Sequence, residues 1–558
     1  MAAARNPAKI NRDAIRLAFP FDPLSFVNLR SLFATVLSEV LPIEIFIEFL
    51  STPQMVVVPH SGLQESGVQG VSDKHSVRDI THQILTSRRC SSSASWDKLP
   101  GMREATFVSE IRDKVRGEIS WPGDDSFDLH RRIWNGMIDR RPALIVRCAG
   151  AADVRHCILF ARDHDLVVAV RSGGHSVPGY GVCENGLVID LSAMKGINVD
   201  RARRSVNAQA GLTWREFDHE TTSFGLATTG GVISSTGIAG LTLGGGIGWL
   251  MGKYGMACDN LTGADVVTAD GRFLVASEEE NQELLWALQG GGGNFGVATS
   301  LRYQLHPVTI VTGGMILHPF PSARAVFEQL LATTARGLDE LTTYFSLMTG
   351  PDGSAICGIA LCHCGAISQA EQDLRGLRAF GPPVADMVNP LPYTDLQQML
   401  DFTAPHGRRY YWRAFFVEHW TEEAVTTLLD WAARKPTAHT MIVLEHVHGA
   451  ASRIPANETA YGIRRDHWSL NIMASWETPD QDEACISWVR DMSVAMQPFG
   501  DGSVYVNYLG DEGDQRIRSA YGDNFAKLKA LKTKYDPDNF FRINQNICPG
   551  LAEAVRAS

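Results

Sequence analysis

The sequence contains no apolar run approaching the ~20 residues that span a bilayer. Its first residues, MAAARNPAKINRDAIRLAF, also lack the continuous apolar core of a secretory signal. These absences predict a soluble protein without a membrane span and favour a cytoplasmic location. Four Arg or Lys residues and one acid among the first 19 leave a transit peptide open as an alternative.

Positive charge is also scarce. The 558 residues carry 51 Lys and Arg against 62 Asp and Glu, a formal net charge of −11. Nucleic-acid binders normally carry a basic surface that neutralises phosphates, so the balance argues against that class. The length exceeds what one core usually organises, which predicts two or more globular units.

Metal-ligand spacing is missing among the ten cysteines. The closest group is Cys357, Cys362 and Cys364, and a zinc site of this kind usually needs a second cluster. We interpret these residues as buried or free thiols and predict no metal site.

A dinucleotide fold of the Rossmann type needs G-x-G-x-x-G at the start of a helix, and that arrangement is absent. A strand at 143–148, a helix at 152–164 and a strand at 166–171 are followed instead by the loop RSGGHSVPGYGVCENG. Glycines in such a loop allow backbone N–H groups to converge on an anion, and Gly173 and Gly174 are the best candidates. Because a glycine loop and not a helix follows the second strand, the sequence disfavours a nicotinamide-dependent dehydrogenase.

Further glycine loops follow at 230–250 and, as GGGGNF, at 290–295. Turns alone rarely require such repetition, whereas close backbone approach to a large ligand explains it. An Asp270–Gly271 turn joins two strands between these loops. The block from about 140 to 308 is therefore predicted to be one α+β unit with an elongated ligand site.

Several motifs occur in a characteristic order between about 106 and 549. They are SWPGDDSFDLHRRIWNGMIDRRPALIVRC, RSGGHS, GLVIDLS, TGIAGLTLGGGIGWLMGKYGMACDNL, VVTADG, LLWALQGGGGNFGV and YDPDNFFRINQNI. In these motifs the chain resembles the berberine-bridge-enzyme-like oxidases of the vanillyl-alcohol oxidase superfamily.

The resemblance implies an α+β fold with a two-lobed FAD-binding domain of the PCMH type at 106–308. It implies an antiparallel-sheet substrate domain backed by helices at 309–505, and a C-terminal segment, 506–558, that returns to the FAD domain. The first 105 residues, with a Ser-rich break near 91–96, are expected to form a partly disordered extension.

The resemblance also places the cofactor. His175 occupies the position at which the family attaches FAD through its 8α-methyl carbon, and Ile233 occupies that of a second, cysteinyl link, so a single link is expected. The remaining FAD-lining positions implied are Arg171, Ser172, Gly173, Gly174, Ser176, Gly237, Gly240, Gly245, Gly248, Asn294, Gly296, Val297, Asn544 and Gln545.

For catalysis, the segment VYVNY at 504–508 resembles the one that carries a catalytic tyrosine in the family. If it is a strand, Tyr505, our first choice, shares a face with Asn507, and Tyr508, the second, lies opposite. Asn471 stands where relatives carry a base, and it could only orient a hydroxyl. A base could also come from elsewhere, and the candidates considered are Glu445, His446 and His448.

The implied activity is hydride transfer from a small organic substrate to FAD, with dioxygen as acceptor. An alcohol, a sugar or a natural product could be that substrate. The aromatic strand at 409–416 could stack on a planar ligand or be buried core. Because Asn471 is not a base, a flavin-binding protein with little turnover stays open as an alternative. The sequence does not determine the oligomeric state.

Overall fold

The computed structural model describes residues 109–550. The predicted extension, residues 1–105, lies outside the described residues. Among the helices between residues 109 and 550, none combines the length and the apolar character needed to cross a membrane.

The first sheet confirms the predicted strand–helix–strand unit. Its four strands run in the order β1-β2-β4-β3, with β2, β3 and β4 parallel to one another. The buried run LIVR forms β2, and helix 151–163 makes the crossover to β3. The strands are β1 Glu118–Ser120, β2 Leu144–Arg147, β3 Val168–Arg171 and β4 Leu187–Asp190.

The second sheet is antiparallel and has the order β5-β6-β10-β8-β9, while β7 pairs with β11. The predicted turn between β8 and β9 is present, with Gly271 at φ +80°. The strands are β5 Ile197–Asp200, β6 Ser205–Gln209, β7 Leu226–Ala227, β8 Leu261–Val267, β9 Phe273–Ser277, β10 Val297–Gln304 and β11 His306–Pro307.

The third sheet is the predicted antiparallel sheet of the substrate region. Its order is β15-β12-β14-β13-β18-β19-β17, and β16 also pairs with β12. Its strands are β12 Ile310–Pro319, β13 Leu341–Thr349, β14 Ala355–His363, β15 Ala385–Asp386, β16 Asn389–Pro392, β17 Arg409–Val417, β18 Met441–Val447 and β19 His467–Trp476. The α+β fold is thus confirmed, whereas the domain boundaries at 308 and 505 remain predictions.

The helices are α1 Phe127–His130, α2 Ala151–Asp163, α3 Trp214–Thr222, α4 Ile238–Leu243, α5 Met251–Tyr254, α6 Gln282–Leu288, α7 Ala323–Thr334, α8 Ile367–Asp373, α9 Arg375–Ala379, α10 Tyr393–Gln398, α11 Glu422–Ala432, α12 Ala450–Arg453, α13 Asp482–Met496, α14 Asp514–Tyr521 and α15 Phe525–Tyr535. Helices α7, α11 and α13 cover one face of the third sheet. Residues at alternate positions of β18, such as Leu444, join the core beneath these helices. Since side chains alternate along a strand, Glu445 points to the opposite face.

The segment 504–508 is not a strand, so this prediction was wrong. Residues Val506–Tyr508 form a short 3₁₀ helix, closed by a hydrogen bond from the Tyr508 N–H to the Tyr505 carbonyl at 3.0 Å. The expected alternation therefore does not hold, and the rings of Tyr505 and Tyr508 meet edge to face, 4.8 Å apart.

A buried ion pair fastens the C-terminal segment to the glycine loop at 290–295. The Lys532 ammonium, with no exposed surface, donates to Asp536 at 2.7 Å, to the Asn294 carbonyl at 2.9 Å and to the Phe541 carbonyl at 2.8 Å. Asp536 in turn accepts the backbone N–H groups of Phe540 and Phe541. Every proton of the ammonium is used, which compensates for burying the charge.

Replacing Lys532 with Met is expected to reduce the free energy of unfolding by about 3–5 kcal/mol, because Asp536 is left buried and uncompensated. Urea denaturation followed by tryptophan fluorescence measures this loss. The matched control is Lys534→Met on the same helix, which removes an exposed lysine paired with Glu283. Equal stability of the two variants would contradict a structural role for the buried pair.

Candidate cofactor site and active site

A cavity lies among the glycine loops, and Trp412 of β17 in the third sheet forms part of its wall. Its wall includes most of the predicted cofactor positions, namely Arg171, Ser172, Gly173, Gly174, His175, Ser176, Gly237, Gly240, Asn294, Gly296, Val297, Asn544 and Gln545. Tyr505 and Tyr508 also line it. Gly245, Gly248 and Asn471 do not belong to the cavity wall.

The loop at 171–176 begins where parallel strands β3 and β4 end side by side. Arg171 is paired with Asp190 in the strand register, and its guanidinium donates to the Asp190 carboxylate at 2.6 Å. Burial raises the pKa of Asp190, but the charge and hydrogen bond of Arg171 outweigh burial and hold the pKa below its usual value. Arg171 thus anchors the loop through a buried ion pair that sequence reasoning missed.

Two glycine loops touch backbone to backbone at Gly173 and Gly237. A Cβ on Gly173 would lie 2.3 Å from the Gly237 nitrogen, and a Cβ on Gly237 would lie 2.3 Å from the Gly173 nitrogen. The next glycine, Gly174, has φ +69°, a conformation that glycine adopts without strain. Successive backbone N–H groups in such a loop form a nest suited to an anion such as a pyrophosphate.

His175 projects from this loop and is held on several sides. Its Nε2 lies 2.9 Å from the Ser235 hydroxyl. The Trp134 ring stacks on the imidazole at 5.2 Å, and His406 contacts it edge-on at 5.1 Å. Burial, with a smaller contribution from His406, lowers the pKa of His175 to about 3. The imidazole is therefore neutral at physiological pH.

The glycines at 244–248 serve packing more than ligand contact. A Cβ on Gly248 would lie 1.9 Å from the Gly230 carbonyl oxygen, and a Cβ on Gly244 would lie 2.0 Å from the Asn507 amide oxygen. Gly245, at φ +122°, packs against the Tyr505 ring. Gly245 and Gly248 thus serve tight chain crossing, and their contact with the cofactor stays a prediction.

The Tyr505 hydroxyl holds the glycine loop at 244–248 by hydrogen bonds. It accepts hydrogen bonds from the backbone N–H of Gly246 at 2.6 Å and of Ile247 at 3.3 Å, and from the Asn507 amide at 2.8 Å. Burial raises the pKa of Tyr505 well above its usual value, although these donors oppose the shift. The hydroxyl is occupied by the loop it holds, which does not favour Tyr505 as the base.

The buried carboxyl of Glu445 forms a hydrogen-bonded group with Tyr508 and Asn471. Tyr508 donates to Glu445 at 2.9 Å, and the Asn471 amide donates to the other carboxyl oxygen at 3.0 Å. Glu445 is 3 % exposed. Burial raises the pKa of Glu445 to about 7, while the hydrogen bonds from Tyr508, Asn471 and Ser469 act in the opposite direction. The group can therefore gain or lose a proton near neutrality.

This arrangement explains the amide at position 471. Val443 and Asn471 face each other across β18 and β19, which brings the amide within reach of Glu445. Asn471 thus orients the carboxyl, and through Tyr508 the carboxyl reaches the cavity wall. Glu445 was one of several alternatives in the sequence, whereas its partnership with Asn471 depends on strand register that the sequence does not reveal.

The C-terminal motif closes the other end of the cavity. Asn294 donates to the Gln545 carbonyl at 3.1 Å and accepts the Ile547 N–H at 3.0 Å. The amide of Asn544 donates to the Gly293 carbonyl at 3.2 Å. The C-terminal motif thus contacts the glycine loop at 290–295, and the cofactor contacts of Asn544 and Gln545 stay predictions.

Two family models match the chain. One, described as an FAD binding domain, matches residues 142–277, and the other, described as berberine and berberine like, matches residues 504–548. The first covers the loop at 171–176 that carries His175, and the second covers Tyr505, Tyr508 and the C-terminal motif.

Similar proteins cover most of the chain. An FAD-linked oxidoreductase of Dictyostelium discoideum is 34% identical over 451 residues, which are 79% of this chain and 97% of the relative. The (R)-6-hydroxynicotine oxidase of Paenarthrobacter nicotinovorans is 31% identical over 454 residues, 78% of this chain and 97% of that protein.

Solved structures agree with these similarities. The 6-hydroxy-D-nicotine oxidase of Arthrobacter nicotinovorans has a TM-score of 0.73 at 28% identity and covers 78% of this chain and 98% of its own. A variant of berberine bridge enzyme, at 20% identity, has a TM-score of 0.72 and covers 80% of this chain and 100% of its own. At that identity, the latter likeness concerns the fold alone.

A Gly173→Ala variant is expected to bind FAD about 5- to 150-fold more weakly, because separating the two loops costs roughly 1–3 kcal/mol. The ratio of flavin to protein absorbance after desalting measures the loss. The control is Gly376→Ala on helix α9, where the nearest atom to an added Cβ is the Gln329 amide nitrogen at 3.4 Å. Full flavin content in Gly173→Ala would contradict the close-contact explanation.

Proposed function

The chain belongs to the FAD-linked oxidoreductases of the berberine-bridge-enzyme-like family, and we propose that it oxidises an uncharged or cationic, ring-containing natural product. It binds FAD, which accepts a hydride at N5 when bound and so supplies the redox chemistry. The observation that carries the proposal is the Tyr508–Glu445–Asn471 hydrogen-bonded group beside the cavity.

The residues present fit FAD. The nest at 172–176 and the Arg171 ion pair suit the pyrophosphate, and the glycine loops admit the approach of a long planar cofactor. His175 is the residue for a covalent link to the 8α-methyl carbon. Its Nε2 is engaged by Ser235, so Nδ1 is the nitrogen available for the link.

The surroundings of Ile233 support a single link. Ile233 packs beside Trp134, Val177, Ala404 and Tyr410 and also lines the cavity. Among the described residues that line this cavity, none is a cysteine. Among the described wall residues, the imidazole of His175 is the proposed attachment point, and no thiol is present there for a second link.

The charges around the cavity limit the substrate. Within residues 109–550, the cation on the cavity wall is Arg171, and Asp190 already neutralises it. An anionic substrate would lie near the Glu445 carboxyl, which stands behind Tyr508, without a compensating charge, and this is unfavourable in a buried site. Trp412 and Tyr508 line the cavity there, with their rings edge to face and their centroids 5.8 Å apart. These features support a neutral or cationic ring-containing substrate.

Glu445 is the proposed proton acceptor. In its ionised form it takes a proton from Tyr508, which in turn takes the proton of the substrate hydroxyl or amine as hydride leaves the adjacent carbon. Asn471 holds the carboxylate in position. Trp412, whose indole N–H is buried and has no partner within residues 109–550, is placed to bind the substrate. This arrangement argues against the alternative of a flavin-binding protein without turnover.

The electron acceptor is proposed to be dioxygen, which takes two electrons and two protons to become hydrogen peroxide. Mixing the anaerobically reduced protein with aerated buffer in a stopped-flow instrument measures the return of flavin absorbance. Rapid return supports an oxidase, whereas return only with an artificial acceptor identifies a dehydrogenase.

His175→Ala is expected to release all of its flavin on acid precipitation, because the covalent link is gone. The wild-type pellet should stay yellow, and absorbance of pellet and supernatant near 450 nm measures both fractions. Trp134→Phe, which retains an aromatic ring against the imidazole, is the control and should keep a yellow pellet. A flavin that stays with His175→Ala would refute the link.

Glu445→Gln is expected to slow flavin reduction by about 10²- to 10⁴-fold, the usual contribution of a general base. The wild-type rate should rise with pH through about 7, since the ionised base accumulates above the pKa of Glu445, and the variant should lose this rise. Anaerobic stopped-flow reduction measures it, with the first compound of an alcohol, sugar and alkaloid panel that bleaches the wild-type flavin.

Glu371→Gln, which changes an exposed carboxyl on helix α8, is the matched control and should match the wild type. If Tyr505→Phe, at full FAD content, lost reduction while Glu445→Gln kept it, the base would be Tyr505. Failure of every compound to bleach the wild-type flavin would favour the alternative without turnover.

A further inference from the structure

We propose that Ser235 is the positioning residue that makes His175 reactive toward FAD. This role rests on the covalent link proposed above. The Ser235 hydroxyl lies 2.9 Å from His175 Nε2 and is partly exposed. Ser235 comes from the loop at 230–237, across the Gly173–Gly237 contact from the histidine.

The state of the imidazole decides its reactivity. A neutral imidazole carries one N–H and one lone pair, on different nitrogens, and only the lone pair can form a new bond. His175 is neutral because it is buried without an acidic partner and because His406 disfavours a second positive charge nearby. The remaining question is which nitrogen carries the proton.

The serine hydroxyls near His175 differ in their hydrogen-bond partners. Ser172 donates to the Ala210 carbonyl at 2.6 Å, and Ser234 donates to Asp401 at 2.6 Å. Within residues 109–550, the Ser235 hydroxyl has His175 as its hydrogen-bond partner, and its exposed side lets its own hydrogen point to solvent. It is therefore free to accept the Nε2–H of His175, which leaves the lone pair on Nδ1.

The bonds, protons and electrons of the proposed attachment step can be accounted for as follows. A bond forms between Nδ1 and the 8α carbon, one C–H bond breaks at the methyl group, and one N–H bond breaks at Nε2. Ser235 passes the Nε2 proton to solvent. The electron pair reduces the isoalloxazine ring system and passes from there to dioxygen, which with two protons becomes hydrogen peroxide. Ser235 itself is unchanged at the end.

The proposal is tested by measuring the rate at which FAD becomes covalently attached to the apoprotein. Apoprotein made under riboflavin limitation is mixed with FAD in aerated buffer, and samples are divided between acid precipitation and desalting. We expect Ser235→Ala to attach FAD covalently at least tenfold more slowly, with the same total flavin after desalting and the same melting temperature. Ser235→Thr keeps the hydroxyl and should restore the rate.

Ser234→Ala is the matched control, because it removes the adjacent hydroxyl that binds Asp401 and not His175. It should attach FAD at the wild-type rate. A merely structural role for Ser235 would lower total and covalent flavin together, and that result would overturn the proposal. So would a wild-type rate in Ser235→Ala.

His406→Ala separates the two neighbours of the imidazole. If it abolished attachment while Ser235→Ala did not, the proton acceptor would be His406 and the role of Ser235 would be overturned. A colourless wild-type pellet would overturn the covalent link as well. A yellow wild-type pellet with unchanged Ser235→Ala kinetics would overturn the role of Ser235 alone.

Discussion

The close approach of Gly173 and Gly237 is the constraint on which the cofactor site depends. With added Cβ atoms 2.3 Å from the facing nitrogens, neither position tolerates a side chain while the loops stay in contact. His175 follows the first glycine by two residues, and Ser235 precedes the second by two. The 2.9 Å contact between imidazole and hydroxyl therefore exists because two backbones touch.

Features that arise from local patterning were predictable. Apolar alternation and buried apolar runs identified some strands in each of the three sheets but not the ten-residue β12, and repeated glycines indicated the ligand loops. Tyr505 shows where local pattern fails. A five-residue apolar and aromatic segment is compatible with a strand, yet a bond between residues three apart closes a 3₁₀ turn there. The neighbouring edge strand β17 bonds instead to the residues before the turn, with the Phe416 N–H donating to the Ser503 carbonyl at 3.2 Å.

Features that depend on pairing between distant segments were not predictable. Arg171 meets Asp190 because two parallel strands end in register, and Glu445 meets Asn471 because β18 and β19 pair as they do. A shift of one residue in the second pairing would turn Glu445 toward the helices behind the sheet. A single sequence indicates that strands exist but not which residues face each other.

The strand register places the Asn471 amide beside Glu445, which explains why an amide suits this position. A carboxylate at position 471 would stand beside Glu445 in a buried site, and two neighbouring carboxylates cannot both ionise easily. An amide instead donates a hydrogen bond to Glu445 at 3.0 Å and adds no charge. The proposed base is therefore carried by β18, and the hydrogen bonds from Tyr508, Asn471 and Ser469 oppose the effect of burial, which raises the pKa of Glu445 to about 7.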